Sequence, residues 1–359
     1  MKSFVWLTVQ LLAIPLVSSA VDRYVAPNGS GNACILVLPC TLNTGLQLAV
    51  GGDTVYLLNG TYRQVVQTVR NGSANNQIMI RALNRHQARI EWPLGNVFDE
   101  VFDIKHDYIT LQRVRLDGTG PNGSSWALLR IAGISQSNPA ANVIVDDVLA
   151  HDSGHALLLL QNARNVTVRN STFDNSGLTA EAGEAIYISS ANSFKPVIGA
   201  NIHSNTFRRF TSNAVDYKGQ AINIDVHHNI FEDQKINPIS MVAGDGNIRS
   251  ASNEQGTVNT SSGNFFRDNI YRDSVGNYTI RLQGNRVDVL NNVFYNMSGS
   301  PFVDSRTMPQ ARIQGNVACS WRETLNLGAA CDAPNCSNNR LNRPQSACDA
   351  EVDRILAEQ

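Results

Sequence analysis

The stretch NAVDYKGQAINIDVHHNIF, residues 213–231, contains two runs in which apolar and polar side chains alternate. The first run, VDYK, covers residues 215–218, and the second, INIDVH, covers residues 222–227. Alternation with a period of two residues is typical of a β-strand that buries one of its faces. The stretch therefore predicts two short strands separated by a turn, with Asp216 and Lys218 together on the solvent-exposed side.

The end of this stretch belongs to an internal repeat, Asn-x-Phe or Asn-x-Tyr. Its aromatic residues lie 24, 40 and 23 residues apart, at Phe207, Phe231, Tyr271 and Phe294. Repeats of this length are typical of solenoids, and the unequal steps favour coils with loops of variable length over the uniform blades of a propeller. The sequence therefore predicts a single-stranded parallel β-helix, in which each strand pairs with its copy one coil further on.

Within such a coil, we expect the repeated aromatic residues to stack in the interior. The asparagines of the repeat are expected to occupy a tight turn, because asparagine tolerates the left-handed backbone conformation. Their side-chain amides can then form hydrogen bonds along the stack. These asparagines are Asn205, Asn229, Asn269 and Asn292.

The chain divides into three predicted segments. Residues 1–20 have a lysine, an apolar run and small residues ending at Ala20, which is typical of a secretory signal peptide. Residues 21–318 form the predicted β-helix domain, and residues 319–359 form a Cys-rich C-terminal cap or tail. A short helix near Thr41–Val50, with Leu42, Leu46 and Leu48 as apolar contacts, is expected to cap the first coil.

Six cysteines in an exported chain predict disulfides. Cys34 and Cys40 are expected to close one loop, whereas Cys319, Cys331, Cys336 and Cys348 allow three pairings. The absence of histidine from this tail disfavours a zinc site. Glycosylation is predicted at nine Asn-x-Ser/Thr triplets: Asn28, Asn59, Asn71, Asn122, Asn165, Asn170, Asn259, Asn277 and Asn296.

The expected location is extracellular, as a secreted monomeric glycoprotein. A net charge of −1 gives no reason to expect nucleic acid as a partner, and no segment after the signal peptide is long enough to predict a membrane span.

Two segments resemble a known superfamily. GGDTVYLLNGTY at residues 51–62 and the stretch at residues 213–231 resemble the right-handed parallel β-helix proteins of the pectate lyase-like superfamily, a resemblance that covers residues 22–318. NAVDYKG is similar to the strand that carries the catalytic lysine in family 9 polysaccharide lyases. The resemblance implies a polysaccharide lyase with Lys218 as its base and a bound Ca²⁺ ion.

Alignment of successive strands predicts an outward column on one sheet. Tyr187, Asp216 and Arg281 share this column, and Lys218 belongs to the neighbouring one. A coil near residues 240–250 is expected between the Asp216 and Arg281 coils. Glu184 is expected to border the column at a corner, and Arg208 and Arg249 are expected in nearby turns.

These residue types suit β-elimination on an acidic polysaccharide such as pectate, alginate or glucuronan. A base removes the hydrogen next to a uronate carboxylate, and cations stabilise the negative charge that develops. The hypothesis makes Lys218 the base and Arg281 the carboxylate clamp. It makes Asp216 and Glu184 candidate Ca²⁺ ligands. Arg249, Arg208 and Tyr187 are the candidate substrate-binding residues.

Three other interpretations remain open. Asp216 and Lys218 could be an ordinary solvated pair, because such exposed pairs are common on strands. Asp146, Asp147, His151 and His155 invite comparison with polygalacturonase-type hydrolases, so a glycoside hydrolase or a uronate epimerase is the alternative enzyme. A carbohydrate-binding or surface β-helix without activity is the third possibility, because fold alone does not fix function.

Overall fold

The structure, a computed structural model, describes residues 19–93, 100–118, 125–177, 183–188, 195–217, 221–233, 248–250, 263–275, 280–282, 287–298, 303–304, 312–319 and 336–358. At residues 248–250, 274–275, 280–282, 296–298 and 303–304 the description is confined to the backbone. The predicted signal peptide lies outside these ranges except for residues 19 and 20.

The described strands, numbered β1–β31 in chain order, form three parallel sheets that run the length of the molecule. The twelve-stranded sheet contains β1 Asp22–Val25, β2 Thr54–Leu57, β5 Ile78–Ala82, β8 Ile109–Gln112, β11 Ala140–Asp146, β14 Ala163–Arg169, β17 Val197–His203, β20 Ala221–His227, β23 Asn264–Arg267, β26 Val287–Leu290, β29 Ile313–Gln314 and β31 Cys336–Ser337. The ten-stranded sheet contains β3 Gly60–Arg63, β6 Ala88–Glu91, β9 Arg115–Asp117, β12 Leu149–His151, β15 Thr172–Asp174, β18 Thr206–Arg208, β21 Ile230–Glu232, β24 Ile270–Val275, β27 Val293–Ser298 and β30 Val317–Cys319. The nine-stranded sheet contains β4 Val66–Gln67, β7 Glu100–Ile104, β10 Ala127–Ala132, β13 Ala156–Gln161, β16 Ile186–Ile188, β19 Val215–Tyr217, β22 Ile248–Ser250, β25 Ile280–Leu282 and β28 Val303–Asp304.

Each coil visits the three sheets in a fixed order. The chain passes from the twelve-stranded to the ten-stranded sheet through a two-residue turn, such as residues 170–171, and then through longer connections to and from the nine-stranded sheet. Every strand pairs in parallel with its counterpart one coil away. This topology confirms the predicted parallel β-helix, and it places the longer, more variable connections around the nine-stranded sheet.

The two-residue turn carries the predicted asparagine ladder. Asn205, Asn229, Asn269 and Asn292 are buried, and the Nδ2 of each donates to the Oδ1 of the next at 3.0–3.1 Å. The ladder continues through Asn316 to Asn339. Each of these Nδ2 groups also donates to a backbone carbonyl, as Asn229 does to that of Ile202 at 2.8 Å.

The predicted reason for asparagine at this turn was wrong. The left-handed residue is the one before each ladder asparagine: Ser204, His228, Asp268 and Asn291 have φ between 50° and 55°. Asparagine is therefore used here for its two donors and its carbonyl acceptor, which satisfy buried backbone groups.

The repeated aromatic residues stack inside the coil as predicted. Phe173, Phe207 and Phe231 are fully buried, with ring centroids 5.0 and 5.1 Å apart and nearly parallel planes. Tyr271 and Phe294 continue the column with tilted rings. This spacing matches the separation of adjacent strands, so each of the five coils from Phe173 to Phe294 adds one ring to the core, whereas Ala150 and Ala318 occupy this position in the coils on either side.

The first coil is capped by α1, Leu42–Leu48, whose N-cap Thr41 accepts a hydrogen bond from the Thr44 amide at 3.1 Å. Leu42 and Leu46 are buried against the core, which confirms the predicted cap. The predicted contact of Leu48 is wrong, because this residue is 40% exposed on the outer side of the helix. Cys34 and Cys40 form the expected disulfide.

The C-terminal segment contains a helix that the sequence analysis did not predict, α2 Gln345–Ala357. It packs against the last strands of the ten-stranded sheet, with Ile355 buried and Cys348 bonded to Cys319. Cys336 is also disulfide-bonded, and Cys331 lies outside the described residues. Within the described ranges, neither helix combines the length and the apolar character needed to cross a lipid bilayer.

Candidate functional site

One outward column of the nine-stranded sheet contains most of the predicted site residues. The backbone register pairs Tyr187 with Asp216, Asp216 with Arg249, and Arg249 with Arg281. Adjacent strands lie about 4.8 Å apart, so the backbones of Asp216 and Arg281 are about 10 Å apart. The predicted column and its intervening coil are therefore correct, but Arg249 lies on β22 and not in a turn.

Asp216 is not exposed, contrary to the prediction. Its side chain points away from the coil interior yet is 0% accessible, and Asn213 beside it is 1% accessible. Asn213 Nδ2 lies 3.5 Å from Asp216 Oδ2. Strand alternation distinguishes inward from outward side chains but does not reveal whether another segment covers the outward face, which explains the error.

Lys218, the predicted base, lies outside the described residues and directly follows Tyr217 at the end of β19. The backbone register places Arg249 next to Asp216, and Arg281 one strand further on. In the sequence, Lys218 comes two residues after Asp216. Its role, and that of both arginines, therefore remains a prediction.

Arg208 lies on a different sheet. It ends β18 in the ten-stranded sheet, and its Nε is 3.0 Å from Oδ2 of Asp174. Arg209 forms a second ion pair with the same carboxylate. The two arginines therefore border the connection that leads to the nine-stranded sheet, and both bind Asp174.

The outward column also extends toward the N-terminus, through residues that the sequence analysis missed. Leu159, Arg130 and Asp103 precede Tyr187 in the register. Arg130 donates to both carboxylate oxygens of Asp103, at 3.1 and 2.6 Å, and to Glu100 at 2.8 Å. Both acids are about 4% exposed, so Arg130 balances two buried negative charges.

A hollow of about 80 Å³ opens beside this column. Its lining residues are Trp126, His155, Ala156, Leu159, Gln161, Glu184 and Tyr187. The ring centroids of Trp126 and His155 are 4.2 Å apart, and burial lowers the pKa of His155, which keeps its imidazole neutral at neutral pH. Glu184, a predicted metal ligand, is only 5% exposed at the edge of this hollow.

A larger recess of about 380 Å³ adjoins the hollow and shares Gln161 with it. Arg130 and Lys195 line this recess, together with neutral polar residues such as Asn162. Lys195 Nζ lies 3.2 Å from Oε1 of Gln161. The wall of the nine-stranded sheet thus presents an aromatic hollow next to a recess with two cationic side chains.

A sequence signal for this hollow exists. WALLRIA at residues 126–132 and HALLLLQ at residues 155–161 share an Ala-Leu-Leu core, and their alignment reproduces the observed pairing of β10 with β13. That alignment places Trp126 beside His155, and it places Arg130 and Leu159 in the column of Tyr187.

Of the residues that suggested a hydrolase, His155 lines the hollow, whereas Asp146, Asp147 and His151 lie elsewhere. Asp146 ends β11 and accepts hydrogen bonds from Gln112 and Asn170, and Asp147 is ion-paired with Arg85 at 2.7 Å. These carboxylates lie at the turn between the twelve-stranded and ten-stranded sheets. They are bound to structural partners and do not face the hollow.

His151 forms, with Asp117 and Asp152, the one cluster of metal-ligating side chains found among the described residues. Its Nε2 accepts from Arg115 Nε at 2.8 Å, which leaves Nδ1 to donate to Asp152 at 2.7 Å. Asp117 is ion-paired with Arg89. Both ring nitrogens of His151 already have hydrogen-bond partners, and two arginines lie beside the carboxylates. The cluster is therefore unsuited to binding a cation.

The described residues do not fit the predicted Ca²⁺ site either. Calcium takes six to eight oxygen ligands, usually with several carboxylates. In the described part of the chain, Asp216 and Glu184 are not joined by a third ligand into a cluster that could hold an ion. No catalytic step is therefore assigned to calcium.

Five of the predicted glycosylation acceptors are exposed: Asn28, Asn59, Asn71, Asn165 and Asn170. None of the five lies on a strand of the nine-stranded sheet. Asn122, Asn259 and Asn277 lie outside the described residues, and at Asn296 the description is confined to the backbone. Modification of these sites stays a prediction.

The chain matches a family described as the right-handed β-helix region over residues 129–255, about a third of its length. No curated protein sequence is detectably similar to it.

Similar solved structures include an alginate lyase from Paenibacillus sp. str. FPU-7, with 15% identity, a TM-score of 0.63, and coverage of 90% of this chain and 99% of that one. The pectate lyase Pel9A has 16% identity and a TM-score of 0.56, with 89% and 83% coverage. The GH136 lacto-N-biosidase from Eubacterium ramulus has 14% identity and a TM-score of 0.50, with 86% and 68% coverage. At such identities these likenesses extend to the fold alone: the chain is a right-handed parallel β-helix. Its repeat predicts the parallel β-helix, and the resemblance of two segments predicts the handedness.

Proposed function

We propose that the protein is a secreted polysaccharide lyase that cleaves a uronic-acid-containing polymer by β-elimination on the outer face of the nine-stranded sheet. The observation that carries the proposal is the strand register, which aligns Asp216 with Arg249 and Arg281. Asp216 lies on β19, and Lys218 directly follows this strand in the sequence. The fold is shared with an alginate lyase and a pectate lyase, and this likeness supports a polysaccharide as the substrate.

In the proposed reaction, Lys218 removes the hydrogen on the carbon next to the uronate carboxyl group. The electron pair of that C–H bond forms a carbon–carbon double bond, the bond to the glycosidic oxygen breaks, and this oxygen takes up a proton as the leaving group. Arg249 and Arg281 bind the carboxylate and stabilise the enolate-like charge that develops. Nearby arginines also favour the neutral, basic form of the lysine.

Asp216 takes the part of a positioning carboxylate in this scheme. A buried carboxylate is costly unless it is paired, and its nearest neighbours in the register include Arg249. It would hold the arginine side chain in place beside the substrate. Assays with and without EDTA test whether Ca²⁺ takes part in this role.

Two disulfides support an extracellular location, since such bonds persist in oxidising compartments.

The test uses the purified protein and a panel of uronic-acid polymers, including polygalacturonate, alginate, glucuronan and rhamnogalacturonan. Cleavage by elimination creates an unsaturated uronate end, which is followed by its ultraviolet absorbance, with and without EDTA. We expect Lys218→Ala to lower the rate by at least about 1,000-fold, as loss of a general base and its positioning does. Lys105→Ala is the matched control, because Lys105 directly follows β7 on the same sheet and is ion-paired with Asp103.

Failure of every polymer to give unsaturated ends would contradict the proposal, and so would full activity of Lys218→Ala. If EDTA abolishes activity and added Ca²⁺ restores it, Asp216 is a metal ligand and does not position an arginine.

The second candidate is a glycoside hydrolase, favoured by the likeness in fold to a lacto-N-biosidase. Hydrolysis releases reducing ends without an unsaturated product, so a reducing-sugar assay on the same samples separates the two reactions.

A further inference from the structure

We propose that the loop at residues 35–38, Ile-Leu-Val-Leu, is a lipid-binding tip by which the first coil of the β-helix inserts into the surface of a neutral bilayer. This apolar loop lies between Cys34 and Cys40, just ahead of α1. Four residues are far too few to span a bilayer, so the contact is with its surface. The inference goes beyond the proposed function, since it concerns a different part of the molecule.

Four large apolar side chains in a row are exposed in the apolar loop. Their exposed fractions are 47% for Ile35, 53% for Leu36, 87% for Val37 and 52% for Leu38. Among the described residues, the other exposed large apolar side chains stand singly along the chain. Single exposed apolar residues are normal in proteins, whereas a contiguous exposed run marks an interaction site.

The backbone of the loop does not require apolar side chains. Turns with the same antiparallel bridge between their first and last residues occur at residues 35–38, 73–76 and 135–138. In each of them the amide of the last residue donates to the carbonyl of the first at 2.9–3.0 Å. The other two turns are also exposed, and they read Ser-Ala-Asn-Asn and Ser-Gln-Ser-Asn. Polar residues are the usual choice in such turns, so the apolar side chains of the first turn need another explanation.

Hydrogen bonds at both ends hold the apolar loop away from the core. The amide of Tyr24 donates to the carbonyl of Cys34 at 2.6 Å, and the carbonyl of Tyr24 accepts from the amide of Cys40 at 3.1 Å. The amides of residues 30–31 donate to the carbonyl of Pro39 at 3.1 and 2.9 Å. The disulfide between the two cysteines closes the loop. Because the loop is already ordered, its binding to a surface costs little conformational entropy.

The sequence around the apolar loop carries no charge. Residues 24–52 contain no Asp, Glu, Lys, Arg or His, although charged residues make up 16% of the whole chain. A charged neighbour would have to lose its hydration as the loop enters the apolar part of a bilayer, which is costly. The lack of charge also gives no attraction to an acidic or basic partner. A neutral lipid surface is therefore the partner that suits this segment.

The size of the apolar loop argues against a second copy of the chain or a flat protein surface as the partner. A stable protein interface takes about 20–30 residues from each side, and one turn of four residues is much smaller. A bilayer needs no complementary shape, so even a narrow loop buries its side chains there. A neutral tip also suits the extracellular location proposed above, because anionic lipids are characteristic of the cytoplasmic leaflet.

Co-sedimentation with phosphatidylcholine vesicles that contain no anionic lipid tests the inference. We expect weak, reversible binding, with a partition constant on the order of 10⁴ M⁻¹, as for a single acyl chain. Because no charge takes part, the constant should change less than about 2-fold between about 0.1 M and about 1 M salt.

The main variant gives the apolar loop the sequence of the turn at residues 73–76, which this chain already folds in the same turn. Its four substitutions are Ile35→Ser, Leu36→Ala, Val37→Asn and Leu38→Asn. We expect this polar variant to bind vesicles at least about 10-fold more weakly. Val37→Asp, a single change at the most exposed position, should have an effect of similar size. Thermal unfolding verifies that each variant is folded.

Leu356→Ser is the matched control. Leu356 is 44% exposed on α2, which packs beside the last strands, whereas the apolar loop adjoins β1 at the other end of the sheets. This variant should bind vesicles as the wild type does, within about 2-fold. Val37→Trp and Leu356→Trp add a local measurement. Brominated phosphatidylcholine should quench the new indole fluorescence of the first variant and leave that of the second unchanged.

The inference is overturned if the wild type does not bind neutral vesicles, if the polar variant binds as tightly as the wild type, or if the indole of Val37→Trp is not quenched. Sedimentation of the protein without lipid covers the other occupant: a dimer that the polar variant loses would assign the loop to a second copy and also overturn the inference. The proposed lyase fails by a different observation, the absence of unsaturated ends from the wild-type protein.

Discussion

Two columns of polar side chains run along this β-helix, and they differ in regularity. The asparagine ladder at the two-residue turn repeats one residue type, and every amide has partners in the coils on both sides. The outward column of the nine-stranded sheet changes chemically at each step, from Asp103 and Arg130 through Leu159 and Tyr187 to Asp216. The repeated asparagines stabilise the scaffold. The outward column has a different side chain on each strand, and such a surface can recognise a ligand.

The difference follows from the surroundings of each column. From Asn205 onward, each turn presents the same unsatisfied backbone groups, and asparagine satisfies them each time. The three preceding coils have Val114, Val148 and Ser171 at the same position. On the nine-stranded sheet the backbone groups are already paired between strands, and the outward side chains are free to vary. The longer connections on both sides of that sheet add further variation.

The largest effect on stability is expected from breaking the ladder at its centre. Asn229→Ala removes two donors to the carbonyls of Ile202 and His227 and removes the acceptor for the Asn205 amide groups, all in a buried site. We expect a loss of about 3 kcal/mol in the free energy of unfolding. Urea denaturation monitored by circular dichroism measures it.

Two variants serve as controls for the ladder. Asn339→Ala, at the partly buried last position, should cost about 1 kcal/mol, and the exposed Asn28→Ala, outside the ladder, less than about 0.5 kcal/mol. Equal losses at the three positions would show that burial along the ladder does not determine its contribution.

A smaller loss is expected in the outward column at Arg130. Arg130→Met leaves the buried carboxylates of Glu100 and Asp103 without their main partner. Because the guanidinium is itself 26% exposed, we expect a cost of about 2 kcal/mol, below that of a fully buried pair. The denaturation midpoint in urea reports this change.

Adding Glu100→Gln to Arg130→Met should recover part of that loss, since one of the two uncompensated charges is removed. If the single variant is as stable as the wild type, Arg130 is available to a ligand and does not serve the scaffold.

The smallest effect concerns acid stability near the ladder. Burial lowers the pKa of His227 from 6.5 to about 4, so between these values the unfolded chain binds a proton that the folded chain does not. Stability should therefore fall as the pH drops from 6.5 toward 4 and level off below it, by about 1 kcal/mol for this partly exposed side chain.

His227→Gln should reduce that acid-dependent loss without changing stability at pH 7 by more than about 0.5 kcal/mol. Unfolding midpoints at pH 7 and pH 4.5 for both proteins give the comparison. If the unfolding midpoint falls equally in both proteins between pH 7 and pH 4.5, other groups cause the acid sensitivity. His203 is one such group, because burial also lowers its pKa.

Much of the candidate site could be read from strand alternation and alignment. The column of Tyr187, Asp216 and Arg281 is in register, and the strand parity could be read from Ile186 and Val215, which are buried in the core. The hollow could not be read so directly, because it needs Trp126 and Glu184 from the ends of two different strands and an apolar floor between them.

The sequence by itself determined the repeat, the aromatic stack and the asparagine ladder, because these depend on contacts that recur from coil to coil. It also determined the first disulfide, because Cys34 and Cys40 are only six residues apart. Only the tertiary structure decided that Asp216 is buried, that Leu48 is exposed, and that α2 packs on the side of the last coils. The physical reason is that alternation along a strand distinguishes inward from outward, whereas accessibility depends on segments that are distant in the chain.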